Sequence, residues 1–202
     1  MANNHYNHND WNEFQWENEI RQDEKRISRY FQELPDCIDL PGEEDYIMKK
    51  LMGMPDLVPT KADSFLFDFD DDDEGLSSAE WRSRRGADLY EQAVMISLRW
   101  NSVLASQLDA AMFRRGLSVT CLFGKLISRT VDMVNTEDNM PGLKISLLKR
   151  ILHDINALVG LLRSITVSRR NAIANIDIIC EQLQSCREKT IDYLQEMKRN
   201  QA

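Results

Sequence analysis

Two apolar stripes run along one stretch of this chain. Leu148, Ile151, Ile155, Leu158, Leu162 and Ile165 alternate in steps of three and four, while Ile145, Leu152 and Val159 recur every seven residues. The first spacing traces one face of a helix, and a second stripe beside it demands burial on more than one side. The pattern predicts a central helix over about 142–166, with other helices packed around it.

The flanking sequence supplies candidates for those helices. Leu89, Ala93, Ile96, Trp100 and Val103 predict one over about 77–108, opened by the capping-box spelling Ser77-Ser78-Ala79-Glu80 and broken near Gly86. Arg114-Arg115-Gly116 reads as a basic last turn followed by a glycine C′. The next helix is therefore placed at about 117–134, with Val119, Leu122, Phe123, Leu126, Ile127, Val131 and Val134 inward. Gly124 within it is expected to permit close helix packing. A last helix over about 169–199 turns Ile173, Ile176, Ile179, Leu183, Cys186, Thr190, Leu194 and Met197 inward. Strand signals are lacking, and 8 Gly and 5 Pro leave little room for turn-rich β structure. The expected fold class is all-α: an up-and-down bundle of four helices over about 78–199, preceded by an acidic, aromatic-rich helical extension.

In the extension, DWNE at Asp10 is a capping-box spelling that opens a helix over about 11–33. Trp16, Ile20, Ile27, Tyr30, Phe31 and Leu34 share one side of it, and Pro35 is expected to stop it. Pro41 and the acids that follow open a short helix over about 42–52. The boundaries read from the sequence are a helical N-terminal extension at 1–57, an acidic linker at 58–76 and a bundle at 77–202.

Charge divides the chain in the same place. Residues 1–80 carry 7 Lys+Arg against 21 Asp+Glu, and residues 81–202 carry 18 against 12, so a formal −8 hides −14 followed by +6. The two portions attract one another, or each attracts something else. The sharpest case is DSFLFDFDDDDEG at 63–75, where Phe65, Phe67 and Phe69 run into Asp70, Asp71, Asp72, Asp73 and Glu74. Such acids cannot be buried unpaired, and such rings are poor residues to leave in water.

Metal chemistry fits this stretch badly. With Asp70 as the first position of a calcium loop, Asp72, Glu74 and Gly75 fall correctly, but Trp81 stands where the bidentate Glu is required. A carboxylate-bridged metal site needs Glu-x-x-His pairs in the core helices, and the only histidine there is His153, with no Glu three residues earlier. His5 and His8 offer no fixed scaffold, and Cys180 and Cys186 are too far round a helix to chelate together. Phosphate-binding glycine loops and the GxSxG elbow are missing. No enzyme, cofactor, metal or small-molecule substrate is therefore inferred.

Four scattered cysteines, Cys37, Cys121, Cys180 and Cys186, read as reduced thiols of a cytoplasmic protein. No apolar run is long enough to span a bilayer. The expected function is non-catalytic protein–protein interaction, as an adaptor, assembly subunit or regulator, with self-association included. Aromatics would anchor the contact and acids would steer it to a basic surface, in cis or in trans. The candidate residues are Trp11, Trp16, Phe65, Phe67, Phe69 and the Asp70–Glu74 run, with Arg84 and Arg85 as counter-charges. The alternative is nucleic-acid binding through the basic C-terminal portion. Against it stand the modest +6, the missing aromatic–basic interleaving and the repelling acidic portion.

Overall fold

The computed structural model describes residues 11–37, 40–54, 78–166 and 170–201, and all regular structure among them is helical. The α-helices are α1 (Glu13–Cys37), α2 (Glu43–Met52), α3 (Ser78–Ser83), α4 (Ala87–Arg99), α5 (Phe113–Asn135), α6 (Pro141–Ser164) and α7 (Arg170–Gln201). Two compact units result. Of the described residues, 11–13 and 78–201 form one, and 14–54 form the other. The boundary thus assigns the first described residues to the unit that holds the C-terminal helices.

In the larger unit α4 packs against α5 and α7, α5 packs against α6, and α6 packs against α7. Leu148, Ile151, Ile155, Leu158, Leu162 and Ile165 are all buried, and Ile145 is buried with them. Leu152 and Val159, the rest of the second stripe, are half-buried. Facing them are Val119, Phe123, Leu126 and Val134 of α5 and Ile176, Ile179, Leu183 and Cys186 of α7. On α7 the inward face begins at Ala172 rather than at Ile173, which is exposed, and then runs 176, 179, 183, 186, 190.

The expected helix over 77–108 is interrupted twice. At Gly86 φ is +90°, a conformation that favours glycine, and the backbone turns there from α3 into α4. At Trp100–Leu104 the helix widens to a π turn, whose Ala105 N–H reaches back to the Trp100 carbonyl. One extra residue per turn moves the inward face from Val103 to Leu104, which is fully buried. Short 3₁₀ turns at Ala105–Gln107 and Ala110–Met112 complete the passage to α5.

α5 begins at Phe113, so Arg114, Arg115 and Gly116 form its first turn and not the end of the helix before. Gly116 is buried, and a Cβ there would collide with Leu108 and touch Trp100. Packing, and not a left-handed cap, is what Gly116 supplies. Arg115 donates from Nη1 to the Ser164 carbonyl at 2.7 Å, satisfying a carbonyl at the end of α6. Gly124, by contrast, is exposed and would meet nothing with an added Cβ, so it brings no helices together.

The smaller unit contains α1 from Phe14 onward and α2. Helix α1 continues to Cys37, past Pro35, because a proline in a last turn removes a single ladder bond instead of stopping the helix where it stands. α2 has ten residues, too few to be stable alone. It is held by Ile47 and Leu51, which pack with Tyr30 of α1. Glu33 of α1 accepts from Lys50 of α2 and pairs with Arg29 at 3.0 Å. The hydrogen bond from Lys50 holds the Glu33 carboxyl below its ordinary range.

Candidate functional site

α2 buries only one narrow face. Gly42 precedes it, Glu43, Glu44 and Asp45 fill its first turn, and Lys49 and Lys50 its last, an order that suits the helix dipole. With Ile47 and Leu51 turned toward Tyr30, the rest of the helix faces outward. Tyr46, Met48 and Met52 are exposed, Met52 to 67%, and Leu40 is exposed just before the helix. Met48 and Met52 are one turn apart, beside the acids. Unbranched, polarizable thioethers adapt to irregular partner surfaces, and Tyr adds a rigid anchor with a polar tip. Residues 14–75, which contain this helix, carry 7 Lys+Arg against 18 Asp+Glu. Met48 and Met52 thus form an exposed apolar pair near the acids of the first turn, and Tyr46 is exposed on the other flank of the buried face.

The residues singled out in the sequence fall in different places. Phe65, Phe67, Phe69, Asp70, Asp71, Asp72, Asp73 and Glu74, with the whole 58–76 linker, lie outside the described residues. Trp11 is half-buried in the larger unit. Trp16 belongs to the smaller one and is buried to 5% exposure, so its ring is not part of the exposed surface. Arg84 and Arg85 follow α3 at the turn into Gly86. Arg85 pairs with Glu196 of α7 and lies 5.7 Å over the Tyr193 ring. Arg82 pairs with Glu91 at 3.4 Å. These arginines thus already face acids or rings of their own unit.

Around Tyr193 a polar cluster joins the start of α4 to the end of α7. The Tyr193 hydroxyl donates to Asp88 Oδ1 at 2.9 Å, and Lys189 donates to Asp88 Oδ2 at 3.1 Å. Desolvation opposes ionisation of Asp88, but these two hydrogen bonds outweigh it and hold the carboxyl below its ordinary range. Burial and the bond to Asp88 push the Tyr193 hydroxyl up.

A second ionic feature was not anticipated: Arg129 of α5 and Asp154 of α6 form an ion pair with side chains only 8% and 1% exposed. Burial pushes the Asp154 carboxyl above its ordinary range, with the Arg129 charge pulling the other way. His153 beside it is exposed.

Between α6 and α7 a groove of about 780 Å³ is lined by Val159, Leu162, Ile165, Ile173, Ile176 and Cys180, with Arg163, Asp177, Glu181 and Gln184. Burial pushes the Cys180 thiol up, away from the thiolate that nucleophilic chemistry needs. Cys121, Cys180 and Cys186 are each free, and Cys121 is exposed. The Cys186 thiol is pushed up to about 11 by burial in the core. A thiol reagent at pH 8 is therefore expected to label Cys121 promptly and to leave Cys186 unmodified until denaturant is added. Peptide mapping by mass spectrometry reads this directly, and native labelling of Cys186 at the rate of Cys121 would contradict the packing of α7.

Among the described residues no group of three or more His, Cys, Asp or Glu side chains is placed to hold a metal ion, and no helix is long and apolar enough to cross a membrane. No family model, curated protein or solved structure matches the chain.

Proposed function

We propose that this chain is a non-catalytic, cytoplasmic protein–protein interaction protein, working as an adaptor, assembly subunit or regulator. Its acidic, aromatic N-terminal region docks on a basic protein surface, in cis or in trans, and α4–α7 act as an up-and-down bundle of four helices that carries it. The cyclic packing of α4, α5, α6 and α7 supports that bundle. The observation that carries the function is the exposed pair Met48 and Met52, one turn apart on α2, with Tyr46 exposed on the other flank of the helix, in a unit dominated by acids. Exposed apolar side chains supply affinity, and the acids of the unit supply steering and partner choice.

Nucleic-acid binding through the C-terminal helices has less support. Two of the arginines that would contact phosphate, Arg82 and Arg85, are paired with Glu91 and Glu196.

The test uses the full chain, immobilised, with two variants: Tyr46→Ser/Met48→Ser/Met52→Ser, and Asp70–Glu74 changed to Asn and Gln. Wild type is expected to retain a stoichiometric basic protein from cell extract, and purified partner should bind either variant about tenfold or more weakly. Unchanged affinity in both variants would remove the N-terminal region from the mechanism. Retention of nucleic acid in place of protein would replace the reading altogether.

A further inference from the structure

α5 turns an exposed stripe outward along most of its length. Phe113, Leu117, Cys121, Gly124 and Ser128 stand at i, i+4, i+8, i+11 and i+15, the spacing of one helix face. All five are exposed, Phe113 to 67% and Leu117 to 55%. Large apolar residues occupy one half of the stripe and small ones the other. Gly124 is the odd member, because an added Cβ would meet nothing within 4 Å among the described residues. A glycine inside a helix costs about 1 kcal/mol relative to alanine, and no turn or packing contact of the bundle offsets that here.

Charge marks the two ends of the stripe. Arg114 and Asp132 are both exposed and lie 18 residues apart, which is about five whole turns, so they share one flank of the helix. Asp132 feels the charge of Arg129 as well, but that guanidinium is already paired with Asp154. A second α5 laid antiparallel on the first brings unlike members together. With the two-fold axis level with Leu122 and Phe123, Leu117 meets Ser128 of the second copy and Cys121 meets its Gly124. The same operation keeps the flank, so Arg114 arrives beside Asp132 at both ends. A parallel pairing would set Arg114 against Arg114 and Phe113 against Phe113. Trp100 of α4 bonds to Thr120, and Gly86 lies against Met133, so the exposed Met95 and Leu98 of α4 are level with the middle of the stripe.

We infer that the outward face of α5 is a self-association surface, on which a second copy of this chain docks antiparallel through its own α5. Such an isologous contact uses every feature twice: Leu117 over Ser128, Cys121 over Gly124 and Arg114 beside Asp132. Gly124 then has a purpose, because its missing side chain lets the two helices approach closely near the axis. Exposed apolar rings and chains supply the affinity, and the charges at the ends fix direction and register. The surface lies wholly on the larger unit, so it goes beyond the docking role of the acidic region and does not depend on it. One helix stripe makes a small interface, and association in the micromolar range is expected.

Sedimentation velocity of the full chain over a range of concentrations tests this. Wild type is expected to pass from monomer to dimer between about 1 and 100 µM. Gly124→Gln places a neutral side chain in open space and favours the helix, so the monomer should be as stable as wild type or more so. The same variant should weaken the dimer about tenfold or more, a loss that a merely structural glycine would not show. Arg114→Glu sets like charges at both ends and is expected to weaken it about tenfold as well. The register has its own readout. Positions 117 and 128 are about 16 Å apart on one helix, so Leu117→Cys/Ser128→Cys in a Cys121→Ser background can join them only between copies. Mild oxidation should give a covalent dimer with that link in its peptide map. Labelling of Cys121, prompt in the dilute chain, should slow several-fold where the dimer forms. A wild type that stays monomeric at about 100 µM overturns the proposal, as does a dimer that Gly124→Gln and Arg114→Glu both leave unchanged. A dimer that these variants weaken but that lacks the 117–128 link overturns the antiparallel register. Binding of a basic protein by the acidic region is measured separately, so failure of that reading leaves these results to stand by themselves.

Discussion

Asp154→Ala is expected to cost about 3–5 kcal/mol of folding stability, the range for breaking a buried ion pair on one side. The side chains of Arg129 and Asp154 are only 8% and 1% exposed, so the guanidinium left behind has little water to turn to and keeps only its other protein neighbours, Asp132 among them. Arg129→Met/Asp154→Leu should behave differently. Burial already pushes the Asp154 carboxyl up, which shows that desolvation weighs heavily against the charged state even with Arg129 beside it. Replacing both groups with apolar ones of similar size removes that penalty along with the attraction, and the double variant is expected between wild-type stability and a few kcal/mol above it. Urea unfolding followed by circular dichroism measures both. A single variant within about 1 kcal/mol of wild type would mean that water reaches the pair after all.

Trp100→Ala is the second large effect, about 3–5 kcal/mol. The indole is fully buried at the π turn, 6.5 Å from the Phe123 ring, and its Nε1–H donates to Thr120 Oγ1 at 2.9 Å. The Thr120 hydroxyl donates in turn to the Gly116 carbonyl at 3.2 Å, so one short chain of hydrogen bonds ties the end of α4 to the start of α5. Thr120→Val keeps the shape and removes the acceptor, stranding a buried N–H at a cost of about 1–3 kcal/mol. The two effects should not add, because with Trp100 gone there is no indole to strand. The same urea titration on Trp100→Ala/Thr120→Val checks this. Additive losses would show that Thr120 acts through something other than the indole.

The positions of the helices could be read from the chain because each rests on a local repeat. The stripe from Leu148 to Ile165 is buried throughout, and α6 and α7 begin and end within a few residues of the expected places. What could not be read depends on local geometry that leaves no periodic mark. Val103 and Leu104 differ in burial only because the helix widens at Trp100. Arg114-Arg115-Gly116 spells a helix end, yet Arg115 reaches the Ser164 carbonyl, 49 residues away, and Gly116 makes room for Leu108. Neither partner is adjacent in sequence.

The candidate site was less visible still. Trp16 carried the aromatic signal of an anchor and is buried, whereas Tyr46, Met48 and Met52 looked like ordinary members of a short helix and are exposed. A short helix with only Ile47 and Leu51 on its packed face could have pointed there, since two buried positions leave most of its surface outside. Asp154 stands next to Ile155 in the buried stripe, and a carboxylate at such a position requires a partner, which was the available hint of Arg129.

The contacts of Glu13 with α6 also impose an order of events on the ribosome. Ser146 donates to its carbonyl and Lys149 to its carboxylate, and these two residues are made 133 and 136 positions after it. At ordinary elongation rates of about 5–20 residues per second, Glu13 waits on the order of ten seconds before its resting place exists. During that interval all of residues 14–75, with their 18 Asp+Glu, are synthesised. A nascent chain thus carries its acids past any basic neighbour before Glu13 has settled.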